Sequence, residues 1–300
     1  NVIQTEGSKS EVNEGKGKRT GGVYVDVELY RKEILEELNA DLPPLKTGSY
    51  ADIMKIVGAG RALTVTPAAH YFEGGVHVNT NMETAVRGLY AAGECAGGMF
   101  GANRVSAATT EMLVEGARAG SSAGAYAREA GLAAASSDTL AAIESELLRP
   151  FANSGPRPGT LKKEIQDIAG GCLTVIRSGE KLEQAPGQLT DMQDNALGQI
   201  GVTDQNRICN RQWLDYLEAR SMLLTARAIV QSALLRSESR GVHIREDCFV
   251  TDNQAFFKNT VIENTSLASR LDDVKTPYMQ APRERMPYID YIEQVVEKLN

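Results

Sequence analysis

The spacing of hydrophobic and polar positions predicts short strands and one helix in the first 80 residues. The stretch "GGVYVDV" (21–27) alternates as a strand does, and "YRKEILEELNADLPP" (30–44) places apolar residues on one helical face before two prolines end the pattern. A third stretch, "RALTVTPAAHYFEGGVHV" (61–78), is rich in strand-forming residues and is interrupted by a proline and a glycine pair. Together these stretches predict a small α+β unit.

The middle of the chain predicts a buried strand and then a helix. "GLYAAGE" (88–94) is a short apolar run bounded by glycines, as expected of a central parallel strand that is buried on both faces. From about Ala107 to Arg128 the pattern becomes helical and contains many alanines and glycines. A glycine within a helix costs about 1 kcal/mol relative to alanine, but small residues let a helix lie close to a sheet or a cofactor.

Beyond residue 130 the pattern predicts a helical bundle. One helix begins at Ser137, its expected N-cap, and ends before Pro150. The longest helix is predicted over 208–236 and counts Leu224 among its apolar residues, whereas a Pro-Gly pair leaves 183–206 unassigned. Between them lies a helix whose apolar residues have heptad-like spacing, which indicates that it packs on another helix: Leu161, Ile165, Ile168, Cys172 and Val175. Antiparallel helices joined by short loops form a bundle.

Composition and charge describe an ordinary globular chain. It has 300 residues, of which 42% are hydrophobic and 24% charged, enough for two or three folded units. Lys plus Arg number 32 against 39 for Asp plus Glu, so the net charge of −7 argues against a nucleic-acid partner. No apolar run approaches the ~20 residues that span a bilayer, so we expect no direct membrane insertion, and no signal peptide opens the chain.

The cysteines and the first residue add two expectations. Cys95, Cys172, Cys209 and Cys248 are far apart and form no Cys-x-x-Cys pair, which argues against a zinc or cluster site and fits a reducing, cytoplasmic compartment. The chain begins with Asn1 rather than methionine, so we expect it to be a processed or truncated product of something longer.

Candidate chemistry is concentrated between residues 70 and 110. Glu94 ends the predicted strand, and ligands of open α/β sheets bind at the carboxyl ends of strands, where a carboxylate can accept sugar-like hydroxyls. Glycines follow, and then a helix N-terminus around 106–110 whose positive end favours negative charge, as on a reduced flavin or a phosphate. Spacing alone does not choose between these ligands. It also leaves Arg104, whose fork matches a carboxylate, and His70 with ordinary structural roles as alternatives.

Four motifs together resemble one family. "HYFEGGV" (70–76), "TAVRGLYAAGECA" (84–96), "GANR" (101–104) and "SESRGVHIRED" (237–247) are similar to motifs of the flavoprotein subunits of succinate dehydrogenase and fumarate reductase and of L-aspartate oxidase. They occur in the order of the family across most of the chain. The resemblance implies an α/β plus all-α protein: the end of a capping domain (1–69), the C-terminal part of a two-dinucleotide-binding-domain-type FAD fold (70–130), and a helical bundle with a tail (131–300).

The resemblance also implies a cofactor and a site. FAD is the expected cofactor, and His70 and Arg104 are the expected catalytic residues, which clamp a dicarboxylate against the flavin while a hydride passes to or from flavin N5. Glu94 would bind the ribityl chain. The other expected cofactor-binding residues are Gly74, Gly75, Ala108, Thr109 and Thr110. No metal site is expected. An iron-sulfur subunit is the candidate protein partner, and partner subunits could hold the protein at the inner face of the membrane.

Departures from the family pattern keep alternatives open. No Gly-x-Gly-x-x-Gly motif occurs, so we expect the N-terminal FAD-binding half to be missing and the chain alone to bind FAD weakly or not at all. Phe100 precedes "GANR" where the family commonly has histidine, so the reaction could instead be aspartate oxidation or adenylylsulfate reduction. A non-catalytic module that binds a partner is a further alternative. The motif at 237–247 is interpreted as an ion network, involving His243, that docks the bundle onto the flavin domain.

Overall fold

The computed structural model describes the backbone of 23–25 and 63–65 and residues 72–97, 108–131, 134–263, 266–275 and 280–299. The chain divides into two compact units, Asn1–Tyr71 and Phe72–Asn300. In the first unit, β1 (Val23–Val25) pairs with β2 (Leu63–Val65) in antiparallel register. These residues confirm strand structure inside two of the predicted stretches, while the helix predicted at 30–44 lies outside the described residues.

Helices dominate the second unit. They are α1 (Ala108–Ala130), α2 (Ser137–Leu148), α3 (Pro158–Cys172), α4 (Gly179–Asp191), α5 (Leu197–Gln199), α6 (Arg211–Leu235), α7 (Asn253–Phe256) and α8 (Tyr288–Leu299). The helices predicted near 107–128, 137–149, 160–175 and 208–236 are thereby confirmed. The N-cap of α2 is a correction: Ser136, not Ser137, accepts the N–H of Thr139 at 3.1 Å.

The hydrophobic core lies where α3, α4 and α6 pack together. Its most deeply buried side chains are Leu161, Ile165, Leu182, Leu189, Ile200, Tyr216, Leu223 and Val230. Full burial of one such aliphatic or aromatic side chain contributes about 1.5–3 kcal/mol. The predicted seam of α3 is confirmed in its main members, because Leu161, Ile165 and Cys172 are buried there.

Helix α4 occupies part of the stretch that the sequence pattern left unassigned. It runs through Pro186, and a π-helical turn at Met192–Ala196 joins it to α5. A proline inside a helix costs about 3 kcal/mol because it removes one backbone hydrogen bond and crowds the preceding turn. Leu182, Ala185 and Leu189 are buried along one face of α4, and their burial offsets that cost.

Short strand pairs complete the second unit. β3 (Ile176–Arg177) pairs in parallel with β4 (Ile244–Arg245), and β5 (Val250–Asp252) pairs with β8 (Arg285–Pro287) in antiparallel register. β6 (Lys258–Glu263) and β7 (Ala268–Asp273) form an antiparallel hairpin. Among the described residues, no helix is both long and apolar enough to cross a membrane.

The strand predicted at 88–94 is wrong. Gly88 and Gly93 adopt positive φ angles of 83° and 75°, which bend the chain at both ends of the apolar run. Only isolated bridges form there, between Glu83 and Tyr90 and between Val76 and Ala96. Residues Gly93–Cys95 form a 3₁₀ turn instead. An apolar run bounded by glycines is therefore no sufficient sign of a strand.

Candidate cofactor and substrate site

The predicted site residues divide into two groups. His70 and Arg104, the expected catalytic pair, lie outside the described residues, as does Phe100. Glu94 and the expected cofactor-binding residues are described: Gly74, Gly75, Ala108, Thr109 and Thr110.

Glu94 lies in the turn Gly93–Cys95, and its side chain is exposed. Its Oε1 accepts the backbone N–H of Phe72 at 3.0 Å. Phe72 follows His70 by two residues in the sequence, so this bond ties Glu94 to the segment that carries the first family-like motif. A carboxylate accepts several hydrogen bonds, and Glu94 can therefore also accept hydrogen bonds from the hydroxyl groups of a ligand.

Gly75 is required by a close approach of two backbone segments. The N–H of Val76 donates to Cys95 O at 2.8 Å, and the N–H of Gly97 donates to Val76 O at 2.8 Å. A Cβ atom on residue 75 would lie 2.6 Å from Cys95 O and closer still to Ala96 O. A Cβ atom on Gly74, by contrast, would meet nothing within 4 Å. Glycine at 75 therefore has a reason within the fold, and glycine at 74 has room beside it.

Helix α1 packs against the segment that carries Gly75 and Glu94. Ala108, Thr109 and Thr110 form its first turn, in which backbone N–H groups have no acceptor within the helix and carry the positive end of the helix dipole. Further along, Arg118 Nε donates to Thr80 O at 3.2 Å. Polar contacts thus hold α1 against residues 72–97.

Sequence reasoning missed two buried carboxylates on α1, Glu111 and Glu115. Glu115 Oε2 accepts the N–H of Gly93 at 2.7 Å. The four-residue spacing of these glutamates, which places them on one helical face, was the available sign in the sequence. The apolar side chains between them, Met112, Leu113 and Val114, are exposed instead.

The motif at 237–247 forms the predicted ion network, while its role in docking the bundle onto the flavin domain stays a prediction. Glu238 is completely buried and accepts both Nε and Nη2 of Arg240, at 2.9 and 3.0 Å, and Nη2 of Arg236 at 2.6 Å. Its Oε2 also accepts the N–H of Asp252 at 3.0 Å. A buried carboxylate is tolerated when it is paired and hydrogen-bonded in this way. The network joins the end of α6 to β5.

His243 lies in the same network as a neutral ring. Its Nδ1 is 2.7 Å from Arg177 Nη1, and its Nε2 is 3.0 Å from Arg236 O. An arginine can only donate, so Nδ1 accepts and the proton is on Nε2. Burial lowers the pKa of His243 from 6.5 to about 4, and the neighbouring guanidinium groups of Arg177, Arg236 and Arg245 add to that shift.

A second ion pair closes the network at the start of α4. Arg245 donates to both carboxylate oxygens of Asp247, at 2.7 and 2.5 Å, and these bonds hold the pKa of Asp247 at about 2. Asp247 Oδ1 also accepts the N–H of Gly179 at 3.2 Å. These contacts are structural, since they link β4, which pairs with β3, to the start of α4. In the part of the chain that the structure describes, no group of three or more His, Cys, Asp or Glu side chains could hold a metal ion.

Comparison with known proteins identifies two matching family models. Residues 162–287 match the fumarate reductase flavoprotein C-terminal family, and residues 20–110 match an FAD binding domain family. Both matched segments contain motifs discussed above: the Gly75 and Glu94 segment lies in the second, and the ion network lies in the first.

Individual relatives agree with the family models. The chain is 33% identical over 240 residues to a subunit of the fumarate reductase (CoM/CoB) of Methanothermobacter marburgensis, covering 79% of this chain and 42% of that protein. It is 34% identical over 258 residues to a fumarate reductase flavoprotein subunit of Mycobacterium tuberculosis, covering 81% and 43%. A solved quinol-fumarate reductase with menaquinol molecules superposes with a TM-score of 0.78 at 26% identity, covering 94% of this chain and 50% of that chain. The chain therefore spans about half the length of the relatives it matches.

Proposed function

The chain belongs to the flavoprotein-subunit family of succinate dehydrogenase and fumarate reductase, and we propose that it serves an FAD-dependent oxidoreductase acting on a dicarboxylate of the succinate/fumarate type. The observation that carries this proposal is the position of Glu94. Its exposed carboxylate lies beside the segment 72–76, within the part of the chain that matches an FAD binding domain.

The described residues suit FAD. Glu94 offers a carboxylate to ligand hydroxyls, and the first turn of α1 offers backbone N–H groups to an electron-rich edge. The open space at Gly74 lets a bulky ligand approach the backbone, and the exposed Met112, Leu113 and Val114 offer apolar surface nearby in the sequence. Bound FAD would supply hydride exchange with the substrate through its isoalloxazine ring.

His70 and Arg104 are proposed to bind the substrate. The guanidinium of Arg104 would hold one carboxylate bidentately, which orients the diacid, and His70 would donate a hydrogen bond to the other end. Both groups would also stabilise negative charge that develops on the substrate during the reaction. This assignment rests on the motifs that carry them and on the family to which the chain belongs.

Partner proteins belong to the proposal as well. The relatives named above are subunits by name, which supports assembly with other chains. We propose that the electron-transfer partner is an iron-sulfur subunit, and that such partners attach the protein to the inner face of the membrane. Residues 1–300 contain no Gly-x-Gly-x-x-Gly motif, and we expect them alone to bind FAD weakly or not at all.

The test uses the native-length protein and follows its flavin absorbance. We expect dithionite to bleach the flavin and fumarate to restore it. Arg104→Lys should retain the flavin and lower kcat/KM by about 100-fold or more, because a point charge cannot replace a bidentate fork. Arg87→Lys, a change at an exposed arginine near Tyr126, is the control and should leave kcat/KM unchanged.

Three results would contradict the proposal. A colourless native-length protein would exclude FAD as the cofactor. An unaltered kcat/KM in Arg104→Lys would exclude Arg104 as a substrate-binding residue. Turnover with aspartate or adenylylsulfate, without reoxidation by fumarate, would assign another reaction to the same fold.

A further inference from the structure

Helix α1 buries two charged residues and exposes the apolar residues between them. Glu111 and Glu115 are 1% and 2% exposed. Burial of a carboxylate is costly unless hydrogen bonds replace its lost water. Glu115 meets that condition through the N–H of Gly93, which lies 2.7 Å from its Oε2. The buried carboxylate of Glu115 is therefore stabilised by its contact with the turn Gly93–Cys95.

We infer that Glu115 is a positioning residue for Glu94. Its buried carboxylate fixes the amide of Gly93 and thereby orients the turn from which the Glu94 side chain projects. The inference deepens the proposed function and rests on it for one point, the role of Glu94 in holding the cofactor.

The contacts on the two sides of the turn support this role. On one side, Glu115 holds the Gly93 amide, and a Cβ atom on residue 93 would lie 3.2 Å from Met112 Cγ. On the other side, Cys95 O accepts the N–H of Val76 at 2.8 Å. Glu94 is thus carried by a turn that contacts both α1 and the segment 72–76.

The backbone of the turn needs such an anchor. Gly93 has a φ of 75°, a conformation that glycine adopts without penalty but does not favour over others. Within the turn, the N–H of Ala96 donates to Gly93 O at 2.9 Å, and Cys95 Sγ donates to Ala92 O at 3.2 Å. The Glu115 bond adds a charge-assisted contact, which is about twice as strong as a neutral one. It selects one orientation of the Ala92–Gly93 peptide, which lies one residue before Glu94.

The consequence of this orientation reaches Phe72, which is bonded to Glu94. The N–H of Phe72 donates to Glu94 Oε1 at 3.0 Å. If Glu115 orients the turn, loss of its carboxylate displaces Glu94 and weakens the Phe72 bond as well. A Glu115 that merely supports α1 would leave the Phe72 amide unchanged.

The experiment follows the amides of Gly93 and Phe72 in the ¹⁵N-labelled chain by NMR and hydrogen exchange. Glu115→Ala should reduce the exchange protection of Gly93 by about tenfold or more, because a hydrogen bond to a charged acceptor is lost, and should shift the Phe72 resonance. Glu115→Gln keeps an acceptor of the same length and should restore most of both signals. Glu129→Gln, at an exposed glutamate in the last turn of α1, is the matched control and should change neither amide.

Two outcomes overturn the inference. One is a Gly93 amide that keeps its protection in Glu115→Ala. The other is a Gly93 amide that loses protection while the Phe72 resonance stays in place. If Glu115→Ala disrupts α1, the weaker neutral bond of the Gln variant decides: a partial loss of Gly93 protection with a correspondingly small shift at Phe72 supports the inference, and a partial loss of Gly93 protection with no shift at Phe72 overturns it.

A second measurement separates this inference from the proposed function. In the native-length protein, Glu115→Ala should weaken FAD binding by about tenfold, and Glu115→Gln should weaken it less. Unchanged affinity in Glu115→Ala, despite a displaced Phe72 resonance, overturns the cofactor role of Glu115 and leaves the proposed function standing. A wild-type protein that binds no flavin overturns the proposed function, whereas the Gly93 and Phe72 amides still report whether Glu115 orients the turn.

Discussion

The helical bundle and helix α1 place their side chains in opposite ways. In the bundle of α3, α4 and α6, apolar residues such as Leu182, Leu189 and Leu223 are inside. In α1, Glu111 and Glu115 are inside, while Leu113 is 70% exposed. The hydrophobic effect explains the bundle directly, whereas the contacts of α1 with residues 72–97 include hydrogen bonds to the buried Glu115 and from Arg118.

This difference in side-chain burial indicates which of the two regions forms a hydrophobic core by itself. Clustered apolar side chains in water mark a surface that binds something. The exposed set of the α1 region includes Phe72, Val76, Val86, Leu89, Met112, Leu113 and Val114. We expect the bundle to fold as an independent core, and we expect the region around α1 to gain stability when a ligand or a protein surface covers it.

The largest expected effect tests the bundle core at two neighbouring leucines of α6. Leu223 is fully buried, whereas Leu224 is 46% exposed. Leu223→Ala should lower the free energy of unfolding by about 3 kcal/mol, through lost transfer energy and the cavity left behind. Leu224→Ala should cost less than about 1 kcal/mol. Urea unfolding followed by the fluorescence of Trp213, the single tryptophan, measures both. Equal costs would contradict the assigned core face.

The same pair shows how far the sequence could predict the fold. The pattern predicted α6 and the seam of α3 because both contain long runs at helical spacing. It named Leu224 as an apolar member of α6. Apolar residues occur on every face of this helix, so their spacing could not distinguish the buried Leu223 from the exposed Leu224. Tertiary contacts, not periodicity, choose the face.

Other misses have equally specific causes. Helix α4 contains Pro186, and only burial of Leu182, Ala185 and Leu189 shows why the helix continues. The predicted strand at 88–94 is wrong because Gly88 and Gly93 have positive φ angles, and an apolar run in the sequence does not reveal the backbone conformation of its glycines. At the candidate site, the motif predicted Glu94, but Glu115 was missed because its partner, Gly93, is 22 residues away.

A middle-sized effect links the bundle region to pH through His243. Its pKa is lowered to about 4 in the folded protein, first by burial and then by nearby arginines. The unfolded chain therefore binds a proton as pH falls below 6.5, while the folded chain resists it until about 4. This contribution to stability is fully present above pH 6.5 and is lost progressively down to pH 4, by at most about 3 kcal/mol.

Trp213 unfolding curves at several pH values check this linkage. His243→Asn keeps an acceptor for Arg177 and removes the titrating group, so its stability should change little between pH 6.5 and 4. Asp247, whose pKa is about 2, adds a further loss only as pH falls below its ordinary value of 3.8. A wild-type slope retained in His243→Asn would assign the linkage to another group.

The smallest expected effect comes from a leucine-to-glutamine substitution, which is made both in α1 and in the bundle core for comparison. Leu113→Gln should alter the free energy that protects α1 amides from hydrogen exchange by no more than about 0.5 kcal/mol, because that side chain already lies in water and glutamine is a good helix former. Leu182→Gln places an amide in the bundle core and should cost several-fold more, since its polar groups would be buried among apolar neighbours. A large loss at Leu113 would mean that the chain itself covers this face of α1, and the contrast between a self-sufficient bundle and an uncovered helix would then fail.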